Sequence, residues 1–186
     1  MKIISNELNG LLKIGVDLYK DNRGWFCEGY NKKAFIGILG QTGQDTDFVQ
    51  DNYSFTNVRG TIRGLHYQEP PYGQAKLFRC IKGSVFDVAV DLRADSPTVF
   101  KWKSYILNGD EFEWIYIPKG FGHGFQALSD ECVVQYKVDE YYNKEFDRSV
   151  RWDDPFLRIE WPVLDPVLSD KDRCAPGIGR VYDNFQ

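Results

Sequence analysis

The chain is poor in the side chains that build metal sites and disulfide frameworks: its 186 residues include two histidines, one methionine and four cysteines. Cys27, Cys80, Cys132 and Cys174 stand far apart, with no CxxC pair and no cysteine–histidine ligand spacing. That scatter speaks against structural zinc and reads as four small buried thiols rather than two disulfides. Long apolar runs are missing as well, and Met1 to Glu7 lacks the charged-then-apolar order of a secretory signal. The expectation is a cytoplasmic protein with no membrane partner. An excess of basic residues is also absent. With 23 Lys and Arg against 27 Asp and Glu the formal net charge is -4, which argues against nucleic acid as a partner while leaving room for a local anionic ligand.

Helical periodicity is scarce. Apolar residues instead alternate with a period of two across residues 48–55, 75–81, 85–91, 102–107, 113–117, 122–127 and 132–138, the mark of half-buried strands. Residues 32–38 form the only early helical stretch, and the proline-broken tail after Trp152 has room for one more turn. Lys82-Gly83-Ser84, Asn108-Gly109-Asp110 and Pro118-Lys119-Gly120 read as hairpin-like links between strands. Regularly spaced short strands predict an all-β fold: a double-stranded β-helix jelly roll, cupin-like, with few short helices. No repeat or linker divides it, so residues 1–186 read as one domain, long enough to bury a core unaided. A strand near residues 11–18 offers an exposed edge for pairing across a dimer.

What the chain does have is two histidines in glycine-flanked settings, Arg63-Gly64-Leu65-His66-Tyr67-Gln68 and Pro118-Lys119-Gly120-Phe121-Gly122-His123-Gly124-Phe125. Histidine titrates near neutrality, so both are candidate acid/base groups, with hydrogen-bonded core histidines as the plain alternative. Pro118-x-Gly120-x-x-His123 has the spacing by which cupins carry a metal-binding histidine. Metal cupins add a histidine two residues after the first one and a glutamate beyond; here Gln68 stands in that place. A pocket without a metal is therefore expected. Proton transfer next to a carbonyl suits such a pocket. A carbon acid lies on the order of ten pKa units above a histidine, leaving roughly 14 kcal/mol to be met. A donor aimed at the enolate oxygen supplies about 3 kcal/mol or more of this. Lys76, one strand beyond His66, is the candidate cation; a solvated strand lysine is its alternative.

Five stretches together resemble the dTDP-4-dehydrorhamnose 3,5-epimerase family. They are the His66 motif, Lys76-Leu77-x-Arg79-Cys80, Gly83-x-Val85-x-Asp87-Val88-Ala89-Val90-Asp91, the His123 motif and Leu168-Ser169-x-Lys171-Asp172. The likeness runs from about Gly15 to Pro176 with the motifs in order. It implies a cofactor-free jelly-roll homodimer that epimerises C3 and C5 of a nucleotide-linked 4-keto-6-deoxyhexose. On the same resemblance His66 is the base, Asp172 its carboxylate partner, Tyr136 the acid on the opposite face and Lys76 the enolate stabiliser. Arg63 and His123 orient the sugar. Arg23, Phe26, Glu28, Gln50, Asp51, Asn52, Tyr142, Asp147 and Lys171 bind the nucleotide-diphosphate portion. Two positions depart from the family pattern: Asp147 stands where a glutamate is common, and Cys27 where an aromatic is expected. Three alternatives stay open at this point. They are an epimerase or ketoisomerase acting at one carbon or on another, for example GDP-linked, keto sugar; a metal-dependent cupin enzyme; and a sugar-binding module without turnover.

Overall fold

The computed structural model describes residues 1–44 and 46–179, so the last residues of the expected 1–186 domain lie outside the described residues. The period-two segments become strands, and two antiparallel sheets face each other. In spatial order the larger sheet holds β1 (Lys2–Glu7), β2 (Leu11–Gly15), β10 (Glu113–Ile117), β7 (Lys76–Lys82), β12 (Cys132–Val138) and β5 (Gln50–Thr56). The smaller holds β13 (Asp147–Ser149), β6 (Ile62–Gln68), β11 (Phe121–Ala127), β8 (Ser84–Asp91) and β9 (Trp102–Asn108). A separate ribbon pairs β3 (Tyr19–Asp21) with β4 (Gly24–Phe26). This is the expected jelly roll.

The three links read as hairpins are not hairpins. β7 to β8, β9 to β10 and β10 to β11 each pass from one sheet to the other. Turn residues report local backbone geometry, which is the same whether the next strand pairs beside its predecessor or crosses the sandwich. Two of these corners interlock: Gly109 N–H donates to Gly83 O at 3.0 Å, and a Cβ on Gly109 would stand 2.4 Å from Ile81 O. The amino-terminal expectation also changes. β2 is five residues long, lies between β1 and β10 and is almost wholly buried, so the free edge belongs to β1. The two-sided burial of Leu11, Leu12 and Ile14 is set by neighbours distant in sequence.

Among the described residues, three apolar clusters hold the layers together. Leu11, Phe78, Ile115, Phe121, Phe125 and Val134 fill part of the space between the sheets. The tail packs Leu157, Ile159 and Trp161 on the outside of the smaller sheet against Leu65, Tyr67 and Val88. On the outside of the larger sheet lies α1 (Lys32–Gly40), two residues longer than expected. Asn31 caps it, its side chain accepting from Ala34 N–H at 3.1 Å. Spacing by three and four residues puts Phe35, Ile38 and Leu39 on one face against Leu12, Leu77 and Trp114, each burial contributing roughly 1.5–3 kcal/mol. Cys80 and Cys132 are buried thiols as expected, but Cys27 is half-buried and Cys174 exposed. Both of these lie in connecting segments outside the sheets.

Candidate active site

At one end of the sandwich the core gives way to a cavity of about 630 Å³. Its walls are the facing strands, and the tail adds Val167, Leu168 and residues of α2 (Asp170–Arg173) to its lining. His66 and Arg63 project from β6 and His123 from β11, while Lys76 and Phe78 come from β7 and Tyr136 from β12 on the opposite wall. His66 and His123 are register partners, so both imidazoles share one wall.

His66 Nε2 lies 2.5 Å from Oδ1 of Asp172, whose side chain is only 3% exposed. Ser169 supports that carboxylate: its hydroxyl donates to Oδ2 at 2.9 Å and accepts from Asp172 N–H at 3.1 Å. Burial pushes the Asp172 carboxyl up, but the hydrogen bonds from His66 and Ser169 outweigh it and hold the group below the usual carboxylate range. A carboxylate accepting Nε2–H leaves the Nδ1 lone pair as the basic site of His66.

Across the cavity, Tyr136 keeps its proton well past neutrality because burial raises its phenol more than Arg63 lowers it. Lys76 donates to His66 O at 3.3 Å. Burial draws its amine down to about 8, partly offset by Asp147 and Asp87. Arg63 bridges the two sheets, donating to Thr56 Oγ1 and Phe55 O, each at 3.1 Å. His123 contacts Asp87, with Nε2 2.6 Å from Oδ1. At the mouth, Asp147 Oδ2 takes Lys171 at 2.5 Å and the Tyr142 hydroxyl at 3.2 Å. Gln68 and Gln74 tie the segment carrying Tyr142 to the barrel through Tyr72 O, Tyr141 O, Asn143 N and Glu140 O.

The fold thus brings His66, Asp172, Tyr136, Lys76, Arg63, His123, Tyr142, Asp147 and Lys171 to one cavity. It does not bring Arg23, Phe26, Glu28, Gln50, Asp51 or Asn52 to the lining of the same chain. Arg23, its side chain 85% exposed, pairs with Asp21 beside the β3–β4 ribbon. Phe26 is exposed, and Glu28 accepts from Asn31. On β5, Gln50 donates to Asn52 and Asp51 pairs with Lys137.

Sequence reasoning missed the roles of Asp87, Gln74 and the apolar lining residues Val167 and Leu168. Asp87 had a visible signal: it occupies the inward register of Val85 and Ala89, where an unpaired acid would be costly. Leu168 belonged to the motif that ends in Asp172, whereas Gln74 and Val167 had no signal, because their contacts are long-range. Among the described residues no group of three or more His, Cys, Asp or Glu side chains is arranged to hold a metal ion, and no helix is long and apolar enough to cross a membrane.

A carboxylate-backed imidazole facing a protonated phenol, with an ammonium between two walls of a jelly roll, defines an isomerase working by proton transfer. The comparisons make the class particular. The family profile for dTDP-4-dehydrorhamnose 3,5-epimerase matches residues 5–179, and the chain belongs to that family. The Shigella flexneri dTDP-4-dehydrorhamnose 3,5-epimerase is 45% identical over 172 residues, covering 92% of this chain and 93% of its own. The crystal structure of the Bacillus anthracis enzyme with TDP and PPi bound is 46% identical, with TM-score 0.89 over 95% of this chain and 98% of that one. That of a Legionella pneumophila epimerase in complex with dTDP-4-keto-L-rhamnose is 40% identical, with TM-score 0.88 over 96% and 93%.

Proposed function

We propose that this protein converts dTDP-4-keto-6-deoxyglucose into dTDP-4-keto-L-rhamnose by inverting C3 and C5. The observation that carries the reading is the placement of His66, backed by Asp172, and Tyr136 on opposite walls of one cavity. Inversion needs a base on one face and an acid on the other. His66 Nδ1 takes the proton from the carbon next to the C4 ketone, and the electron pair moves to O4. Lys76 holds the enolate oxygen, and Tyr136 gives its phenolic proton to the opposite face; solvent exchange then restores both groups. Arg63 and His123 orient the sugar. Tyr142, Asp147 and Lys171 meet the nucleotide-diphosphate portion at the mouth, where Lys171 supplies a cation.

A homodimer belongs to the same reading. Tyr19, Trp25 and Phe26 of the β3–β4 ribbon and Tyr53 and Phe55 of β5 are exposed aromatics, of the kind enriched at interfaces. In a dimer the ribbon, outside its own cavity, is free to bring Arg23, Phe26 and Glu28 to the second copy's site, and the edge strand β5 to bring Gln50, Asp51 and Asn52. The working compartment is the cytoplasm, where the exposed thiol of Cys174 stays reduced.

The test is incubation of chelator-treated protein with dTDP-4-keto-6-deoxyglucose in deuterium oxide, followed by NMR. Deuterium at both C3 and C5 supports the proposal. Deuterium at one carbon replaces it with a single-site epimerase, and none at either rejects the substrate.

A further inference from the structure

The cavity contains a second imidazole–carboxylate pair. Asp87 on β8 is fully buried, and its Oδ1 lies 2.6 Å from His123 Nε2. Among the described residues its Oδ2 has no hydrogen-bond partner. A sealed carboxylate with a single side-chain partner is costly to keep, so its contribution must come through that partner. The ring of His123 is held too: it meets Phe78 edge to face at 4.8 Å between centroids. Once Nε2–H is given to Asp87, Nδ1 remains, with no partner among the described residues, and His123 lines the cavity.

The titratable groups acting on this imidazole come from three other strands, Asp87 on β8, Lys76 on β7 and His66 on β6, while Arg63 on β6 and Tyr136 on β12 line the same cavity. Burial lowers the proton affinity of His123; Asp87 opposes this, and Lys76 and His66 add to it. At pH 7 and above this favours the neutral ring. The register pairing of His123 with His66 gives this a stereochemical meaning. Both rings are on the wall from which the substrate proton leaves. An imidazolium at 123 would offer a proton back to the face that lost it, undoing the inversion.

We propose that Asp87 is a positioning residue: it fixes His123 as the Nε2–H tautomer, so that Nδ1 accepts a hydrogen bond from a hydroxyl of the bound sugar and offers no competing proton. The hydroxyl contact rests on the epimerase reading, whereas the tautomer does not.

The chain has only two histidines, which makes the test clean. Two-bond 1H–15N correlation spectra of the uniformly labelled, substrate-free protein between pH 6 and 9 contain two imidazoles, assigned with His66→Asn. The expected pattern for His123 at pH 7 and above is a protonated Nε2 and a lone-pair Nδ1. In Asp87→Asn the pattern shifts toward the other tautomer, kcat falls tenfold or more, and deuterium in recovered substrate rises relative to product. An imidazolium or an Nδ1–H tautomer in the wild type at pH 7 overturns the proposal, as does Asp87→Asn with unchanged kcat. Should that variant fail to fold, the wild-type spectrum alone decides. Because no substrate is present, this outcome is separate from the deuterium test of the reaction.

Discussion

Lys76 combines a functional demand with a structural cost, and the two make opposite predictions for one substitution. Burial brings its amine from 10.5 down to about 8. At 1.36 kcal/mol per decade the folded state disfavours the charged form by up to about 3 kcal/mol, reduced to roughly 2 kcal/mol by solvent entering the cavity. Between pH 8 and 10.5 the unfolded chain binds more protons than the folded one, so this group alone makes stability rise with pH across that window. Lys76→Met removes the penalty and one hydrogen bond to His66 O, worth roughly 1 kcal/mol. The expected net gain is about 1 kcal/mol, a rise of roughly 3 °C in melting temperature. Activity moves the other way. Losing a donor at the enolate costs about 3 kcal/mol, or roughly two orders of magnitude in kcat. In the wild type, kcat/KM should fall from a plateau by about tenfold per pH unit once Lys76 loses its proton, with the limb near pH 8. The assay is kcat/KM from pH 6 to 10 for both proteins, with thermal melts at pH 7. A wild-type profile flat from pH 8 to 10, or a variant that is both active and less stable, refutes the reasoning.

Three further predictions follow from the same geometry. Asp172→Asn presents an amide to His66 Nε2 and directs the proton to Nδ1, so kcat should drop about 10³–10⁴-fold with binding retained; titration calorimetry with a dTDP ligand checks the second half. Tyr136→Phe removes the proton donor of the opposite wall, so inversion should slow by about 10²–10⁴-fold while deuterium still enters the substrate, as NMR in deuterium oxide would read. Gly64 has φ +135°, and a Cβ there would stand 2.4 Å from Gly124 Cα; Gly64→Ala should lose more than about 3 kcal/mol in a urea titration.

The limits of the sequence show in particular residues. Asp87 and Asp172 belong to motifs visible in the chain, yet only Asp172 drew attention, because its role came with the family likeness while that of Asp87 depends on β8 lying beside β11 in the sheet. Gly83, Gly109 and Gly120 mark turns correctly, but no local signal separates a hairpin from a corner between sheets. The six outlying candidates, from Arg23 to Asn52, show the same gap: residue type names a binding group, while chain path decides which cavity it can reach.

By itself the sequence determined the class of fold and the chemical vocabulary. Alternation, glycine punctuation and buried apolar volume are local properties, and two histidines with a lysine, a tyrosine and an aspartate are readable in any order. Tertiary structure decided the pairings. His66 and Asp172 are 106 positions apart and meet at 2.5 Å, and His66 faces Tyr136 only because β6 and β12 lie in opposite sheets. Proton transfer depends on distance, direction and exclusion of water, and these arise when long-range strand pairing closes the barrel around the groups.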